Sequence, residues 1–350
     1  MKKLITLILI VLFTVSCSDN ETNKSQQKTL KANSFAIVIH GGAGGIKREY
    51  FSEEQIENYN KKLEEALNAG YSILENGGIS LDAIQAAINI MEDSPLFNAG
   101  KGAVYNSEGQ QEMDAAIMDG KTLNSGAIAG VNSIKNPILA ARIVMDSSKH
   151  VMLSGKGAVI LAKKYGVKIV DSTYFFDERR LKQLKRLQEK DKEKLQLDHT
   201  AFHKNLELMD DHKYGTVGAV AIDKNGNIAA GTSTGGMTNK KYGRIGDVPV
   251  IGAGTYANNA TCGISATGTG EYFIRTVAAK EVSSLIQYKG YTPDKALNEV
   301  LFNQIGPLGG EGGMILIDKH GDVYWDFNSS GMFRGYKKSD GNTKVEIFEK

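Results

Sequence analysis

The sequence predicts an α+β chain in which packed sheets are covered by helices. Three observations carry this. Short apolar runs such as FAIVI at 35–39 read as buried strands. Two stretches, GAVAIDKNGNIAA from Gly218 and GMILIDKHGDVYW from Gly313, each set a D-K-x-G turn between apolar runs, the pattern of a β-hairpin. Helical spacing with recognisable start signals recurs around them. An opening strand, then helices, then hairpins mixed with helices is an order that fits sheets packed together under helical layers.

Taken along the chain, the run at 35–39 leads into HGGAGG (40–45), expected to be a tight turn. Ser52 and Gln55 have capping-box spacing, and Ile56, Tyr59, Leu63, Leu67 and Leu74 come next at near-helical intervals. A second helix is expected from Ser80, burying Leu81, Ile84, Ile88 and Met91. Asn136-Pro137 opens a third, with asparagine as cap and proline where its missing N–H costs nothing. Residues 177–194 are almost continuous charge of both signs, with Leu181, Leu184 and Leu187 as a thin apolar stripe. They read as a solvated helix closing the first segment. Residues 270–289 and 292–303 read as two further helices, the second started by Thr292-Pro293.

Composition narrows the function. Charges of 42 basic and 40 acidic residues leave +2, so no field favours nucleic acid. Two cysteines exclude a disulfide scaffold and a four-cysteine zinc site. Glycine, 39 of 350, is high enough to imply many close backbone approaches. His199 and His203 share a helical spacing but lack further ligands. GAGTYA (252–257) imitates a dinucleotide fingerprint, yet NNATCG at 258–263 does not read as the required helix.

Residues 1–17 read as an export signal. Lys2 and Lys3 precede an apolar run too short to span a bilayer comfortably, and Ser16-Cys17 ends it like a bacterial lipoprotein box. Thr14 stands where that box usually has leucine. Cys17 is the expected lipid attachment point, with an ordinary cleaved signal as the alternative. Residues 18–34 are polar and read as a tether, placing the protein in the periplasm or cell envelope with membrane contact only through the anchor.

The chemistry-bearing pattern is threonine with glycine. YGTVGAVAID sets Thr216 after Gly215 at a strand start, and TSTGGMTNK (232–240), GRIGD (243–247) and SATGTGE (265–271) lie downstream. A hydroxyl needs a base to become a nucleophile, and a free α-amine, with a reference pKa of about 7.7–8.0, is partly unprotonated near neutrality. A threonine at a chain start carries both. Arg244 and Asp247 could hold the α-carboxylate and α-ammonium of an amino-acid substrate, although a surface ion pair is the plain alternative. Thr267 and Gly268 offer a hydroxyl and an N–H to a developing oxyanion.

These blocks, with HGGAGG, LFNAGKGAVYN (96–106) and the stretch 113–146, resemble the plant-type asparaginase and isoaspartyl aminopeptidase family, among the N-terminal nucleophile hydrolases. The resemblance spans residues 35–333 and lapses mainly in the charged connector. It implies an αββα four-layer sandwich. One hydrolase domain (35–350) would be self-cut between Gly215 and Thr216 into an α segment ending at 215 and a β segment, 216–350, with two such pairs forming a dimer. It further implies hydrolysis of the asparagine side-chain amide and of β-aspartyl dipeptides through a Thr216 β-aspartyl ester. In that scheme Thr234 bonds the nucleophile, Gly270 lines the pocket and Asn98 is a polar neighbour. No cofactor is implied as required. A structural Na⁺ is implied through the carbonyls of Met91, Glu92, Ser94, Phe97, Ala99 and Lys101, with an ion-free turn as the alternative. Two other functions stay open at this point: glycosylasparaginase activity, and an uncut lipoprotein with a binding role.

Overall fold

The computed structural model describes residues 34–197 and 215–349. The leader with Cys17, nearly all of the tether, and the pair His199 and His203 lie outside them. The strands are β1 Ala36–Gly44, β2 Met113–Asp119, β3 Ser125–Val131, β4 Met152–Ser154, β5 Val217–Ile222, β6 Ile228–Thr234, β7 Thr255–Asn258, β8 Cys262–Gly268, β9 Gly312–Asp318, β10 Val323–Phe327, β11 Gly331–Lys338 and β12 Thr343–Glu346. They form one eight-stranded sheet, β12-β11-β1-β5-β6-β2-β3-β4, and one four-stranded sheet, β10-β9-β8-β7. The helices are α1 Glu53–Glu75, α2 Ser80–Glu92, α3 Pro137–Ser147, α4 Gly155–Lys164, α5 Glu178–Leu197, α6 Gly270–Thr276, α7 Ala278–Lys289 and α8 Pro293–Asn298.

Side-chain alternation defines the layers. Ile37 and Ile39 of β1 face α1 and α2, in a core with Leu63, Leu67, Ile84 and Ile88. Val38, Val220 and Ile228 face the other way, into a core shared with the small sheet and the helices beyond it. The result is helix, sheet, sheet, helix: an αββα sandwich. Glycine sets the spacing where layers come closest. A Cβ on Gly70 would lie 2.4 Å from Ile37 Cδ1 and 2.7 Å from the Ala83 carbonyl, so α1 packs on β1 and α2 through a bare backbone. A Cβ on Gly263 would come within 2.7 Å of both Ile228 and Val220 across the sheet gap.

Both hairpins form, β5–β6 and β9–β10, with Gly226 and Gly321 in the left-handed region at their turns. The α1 capping box forms as expected, Gln55 N donating to Ser52 Oγ and Ser52 N to Gln55 Oε1. Four expectations need correction. HGGAGG is not a simple turn: β1 continues to Gly44, pairing with β11 across an irregularity between His40 and Gly42. The first segment contributes β2, β3 and β4 as well as helices, because strands made largely of Ala, Gly, Ser and Met carry little of the usual strand signature. Residues 270–289 are two helices, broken at Val277 in the left-handed region (φ 49°). The break lets Ala279 N and Lys280 N donate to Ala253 O and Gly252 O. The segment from Thr292 is α8 followed by a π-helical stretch, Glu299–Ile305.

Replacing Gly70 by valine should destabilise the protein by about 1–3 kcal/mol through overpacking. A lowered denaturant midpoint checks this, and an unchanged midpoint would show that the layer spacing is not set there.

Candidate active site

The chain enters β5 at Thr216, between β1 and β6 in the large sheet. The alternation that turns Gly218 and Val220 toward the small sheet turns Thr216 the same way, so its hydroxyl opens at the mouth of the gap between sheets. Gly215 arrives along a path allowed only by glycine: a Cβ on Gly42 (φ 112°) would sit 2.6 Å from the Gly215 nitrogen and carbonyl oxygen. Thr216 is 7% exposed, and its Oγ1 donates to Thr234 Oγ1 at 3.1 Å. Thr234 ends β6 and also accepts from Gly236 N at 2.9 Å. Asn98 fixes this turn, donating through Nδ2 to Gly236 O at 2.7 Å and accepting through Oδ1 from Val104 N at 3.0 Å.

From the facing sheet, β8 supplies Thr267 and Gly268. Thr267 is buried and its Oγ1 has no hydrogen-bond partner among the described residues. That oxygen lies 2.8 Å from where a Cβ of Gly215 would be, so an unspent donor stands beside the Gly215–Thr216 junction. Leaving it unpaired costs about 1–3 kcal/mol, an arrangement suited to a group that bonds only during reaction.

Arg244 and Asp247 line the same cavity of about 230 Å³, but not as a mutual ion pair. Arg244 donates to both oxygens of Glu271, at 2.8 and 2.9 Å. Asp247 is buried with Oδ2 unpartnered among the described residues. Burial pushes its carboxyl up to about 7, against the pull of a backbone hydrogen bond and of Arg244. Gly270 begins α6 against both: its Cβ would be 2.7 Å from Asp247 Oδ1 and 3.0 Å from Arg244 Nη2. Gly268, Thr269 and Glu271, rather than Gly270, border the cavity.

In the loop holding Met91, Glu92, Ser94, Phe97, Ala99 and Lys101, the Glu92 and Phe97 carbonyls lie against the loop's own glycines, while those of Met91 and Ala99 accept turn hydrogen bonds from Ser94 N and Gly102 N. A Cβ on Gly100 (φ 51°) would meet Glu92 O at 2.3 Å, and one on Gly102 would meet Phe97 O at 2.0 Å. The Glu92 side chain is fully buried. Oε1 accepts from Ser233 Oγ at 2.6 Å and from Ile138 N at 3.0 Å. Glu92 therefore caps α3, a role the sequence assigned to Asn136, whose side chain donates instead to Asp93. Among the described residues no cluster of three or more His, Cys, Asp or Glu gathers as a metal site, and Cys262 is a buried free thiol.

Three groups escaped the sequence reading. His40 sits under β5 with Nε2 2.8 Å from Ser265 Oγ, and Ser265, Thr232 and Thr255 continue a buried hydroxyl chain at 2.7 Å steps. Desolvation pushes His40 down to about 3, the Thr216 backbone offsetting part of this, so the ring is neutral. Gly218 makes room for the chain, since its Cβ would fall 1.9 Å from Ser265 Oγ. Lys240 is buried, donating Nζ to Glu112 O at 2.8 Å and Gly235 O at 3.2 Å. Burial lowers its pKa while Asp114 and Glu112 oppose this. Arg180 of α5 reaches the cavity from the charged connector. GGMTNK marks Lys240 only as one charge in a loop, and no periodicity marks Arg180 as buried.

The family model described as Asparaginase matches residues 33–347. The chain belongs to this asparaginase family. Among curated relatives it is 46% identical to the isoaspartyl peptidase of Salmonella typhimurium, over 87% of this chain and 95% of that one. It is 45% identical to the isoaspartyl peptidase of Escherichia coli over 86% and 92%, and 42% identical to the plant-type L-asparaginase of Pyrococcus horikoshii over 89% and 98%. The αββα layering is that of the N-terminal nucleophile hydrolases, the class of this family.

Lys240→Met should cost about 3–5 kcal/mol, because it strips two carbonyls of a donor and removes the buried positive charge that faces Asp114 and Glu112. Thermal unfolding beside Lys240→Arg checks this; equal melting of unaltered protein and Lys240→Met would refute it.

Proposed function

We propose that this chain is a self-processing amidohydrolase that cleaves the asparagine side-chain amide and the isopeptide bond of β-aspartyl dipeptides. The observation that carries the reading is the convergence of Thr216 Oγ1 and Thr234 Oγ1 (3.1 Å) in one cavity with Arg244 and Asp247, with an unpartnered Thr267 hydroxyl beside the Gly215–Thr216 junction. The relatives' names, isoaspartyl peptidase and plant-type L-asparaginase, support the same chemistry.

In the uncut chain the Thr216 nitrogen belongs to a peptide bond and is no base. Maturation is an attack of Thr216 Oγ1 on the Gly215 carbonyl. The acyl group moves from nitrogen to oxygen, and water then hydrolyses the ester to a Gly215 carboxylate and a Thr216 amine. That amine takes the hydroxyl proton as Oγ1 adds to the substrate β-carbonyl, with Thr267 Oγ1 and Gly268 N–H receiving the oxyanion. The amine returns the proton to the departing nitrogen. Ammonia or an amino acid leaves, and water cleaves the β-aspartyl ester to aspartate. Arg244 holds the substrate α-carboxylate and Asp247 its α-ammonium. Both substrates break at the same carbonyl, so one site serves both.

Backbone carbonyls suit a hard monovalent cation, and Na⁺ held by those of Met91, Glu92, Ser94, Phe97, Ala99 and Lys101 would stiffen the loop carrying Asn98. The chemistry needs no other group. The α and β segments stay associated, as a dimer of pairs. Export with a lipid on Cys17 completes the proposal, supported by Lys2, Lys3 and the apolar run beyond them.

Thr216→Ala should leave one uncut polypeptide without activity, read by denaturing electrophoresis and mass spectrometry of chain starts; two fragments, or turnover by the variant, would sink the mechanism. The pH dependence has a definite sign. Asp247, raised to about 7 by burial, is neutral below that value and cannot attract an ammonium. KM for asparagine should therefore climb, approaching tenfold per unit, as pH falls below about 7. A KM constant from pH 8 to 5 would remove Asp247 from that role.

A further inference from the structure

The cavity lining carries both acids and cations. The acids are Asp247, Glu271 locked to Arg244, and Glu311, whose carbonyl accepts from Thr269 N at 2.9 Å. Two further cations join Arg244 in the lining. Lys47 lies just past the end of β1 beside Ser330, at the point where Gly331 packs against Ile46, and Arg180 comes from α5. Arg180 is only 3% exposed, which is unusual for arginine in a surface helix. Its position is fixed relative to Thr216, because α5 is pinned to the loop that carries Asn98. Arg179 Nη2 donates to Pro95 O at 2.8 Å, Asp177 N to Tyr105 OH at 3.2 Å and Gln188 Nε2 to Ser107 O at 3.0 Å.

The substrate gives these two cations a use. With the aspartyl α-groups on Arg244 and Asp247, the rest of the cavity, which Arg180 and Lys47 also line, is left for the group on the scissile nitrogen. Ammonia leaving from asparagine carries nothing further. An amino acid leaving from a β-aspartyl dipeptide carries a free α-carboxylate on the atom next to that nitrogen. We propose that Arg180 and Lys47 form a subsite for this leaving-group carboxylate, so that isopeptide substrates are selected for a free carboxylate on the residue after the aspartyl unit. The inference rests on the amidohydrolase reading of the cavity. Arginine supplies a planar two-hydrogen-bond grip in a sheltered site, and exposed Lys47 adds a longer-range, salt-screened attraction.

The test uses matured protein and three substrates: β-aspartyl-leucine, its C-terminal amide, and asparagine as the reference for a folded, processed enzyme. The unaltered enzyme is expected to favour the free acid over the amide by about tenfold or more in kcat/KM, with the margin shrinking as salt rises. In Arg180→Gln the acid-to-amide ratio should fall toward one, and in Lys47→Gln it should narrow. Should Arg180→Gln fail to mature, the unaltered enzyme and Lys47→Gln decide the matter by the same ratio. Equal use of acid and amide by an active unaltered enzyme overturns the subsite alone, as does a ratio that survives Arg180→Gln. Failure to cleave any of the three overturns the amidohydrolase reading and the subsite with it.

Discussion

The placement of Thr216 depends on a contact between two bare backbones. Gly42, in the left-handed region, presses against the nitrogen and carbonyl of Gly215, and β1–β5 pairing begins just beyond. A side chain at Gly42 would strike the peptide that leads into Thr216. The hydroxyl, its Thr234 partner and the Thr267 oxygen across the gap are brought together because this approach is so close. The layers around it, with their own glycine contacts at Gly70 and Gly263, keep two sheets parallel enough for residues from each to meet.

Electrostatics complete the site at some expense of stability. Asp247, Lys240, Asp114 and Glu92 are buried ionisable groups, and for each one desolvation is the largest influence, shifting it toward its neutral form. Such groups oppose folding unless hydrogen bonds or opposite charges answer them. Lys240 is answered by two carbonyls and Glu92 by Ser233 and the start of α3. Asp247 keeps one oxygen unanswered, as Thr267 keeps its hydroxyl. Among the described residues Glu92 and Asp114 also keep one carboxylate oxygen each unanswered, so the open valences are spread from the cavity into the structure that supports it.

The sequence made the fold class legible because periodicity and turn chemistry are local properties. The α1 capping box, both D-K-x-G hairpins and the Gly-Thr strand start could all be read without tertiary information. The strands β2 and β3 could not, since buried alanine and glycine in a crowded sheet look like no particular element. Nor could the left-handed Val277, which exists to satisfy Gly252 and Ala253 carbonyls from a distant loop. At the site, Thr216, Thr234, Arg244, Asp247, Thr267 and Gly268 stood in glycine-rich blocks whose composition announced close approach, and the structure brings them together. Arg180, His40 and Lys240 gave no such notice. Their importance comes from what they pack against, and a charge within a run of charges looks the same whether it points to water or into a cavity.

The strand order has a consequence for a broken chain. β5 lies between β1, from before the connector, and β6, from after it, while β11 and β12 from the far end cover the other side of β1. A scission ahead of Thr216 thus falls in the middle of a continuous ladder and not at its rim. It yields two new ends without exposing a single unpaired sheet edge, and neither piece can depart without tearing the hydrogen-bonded sheet along its length.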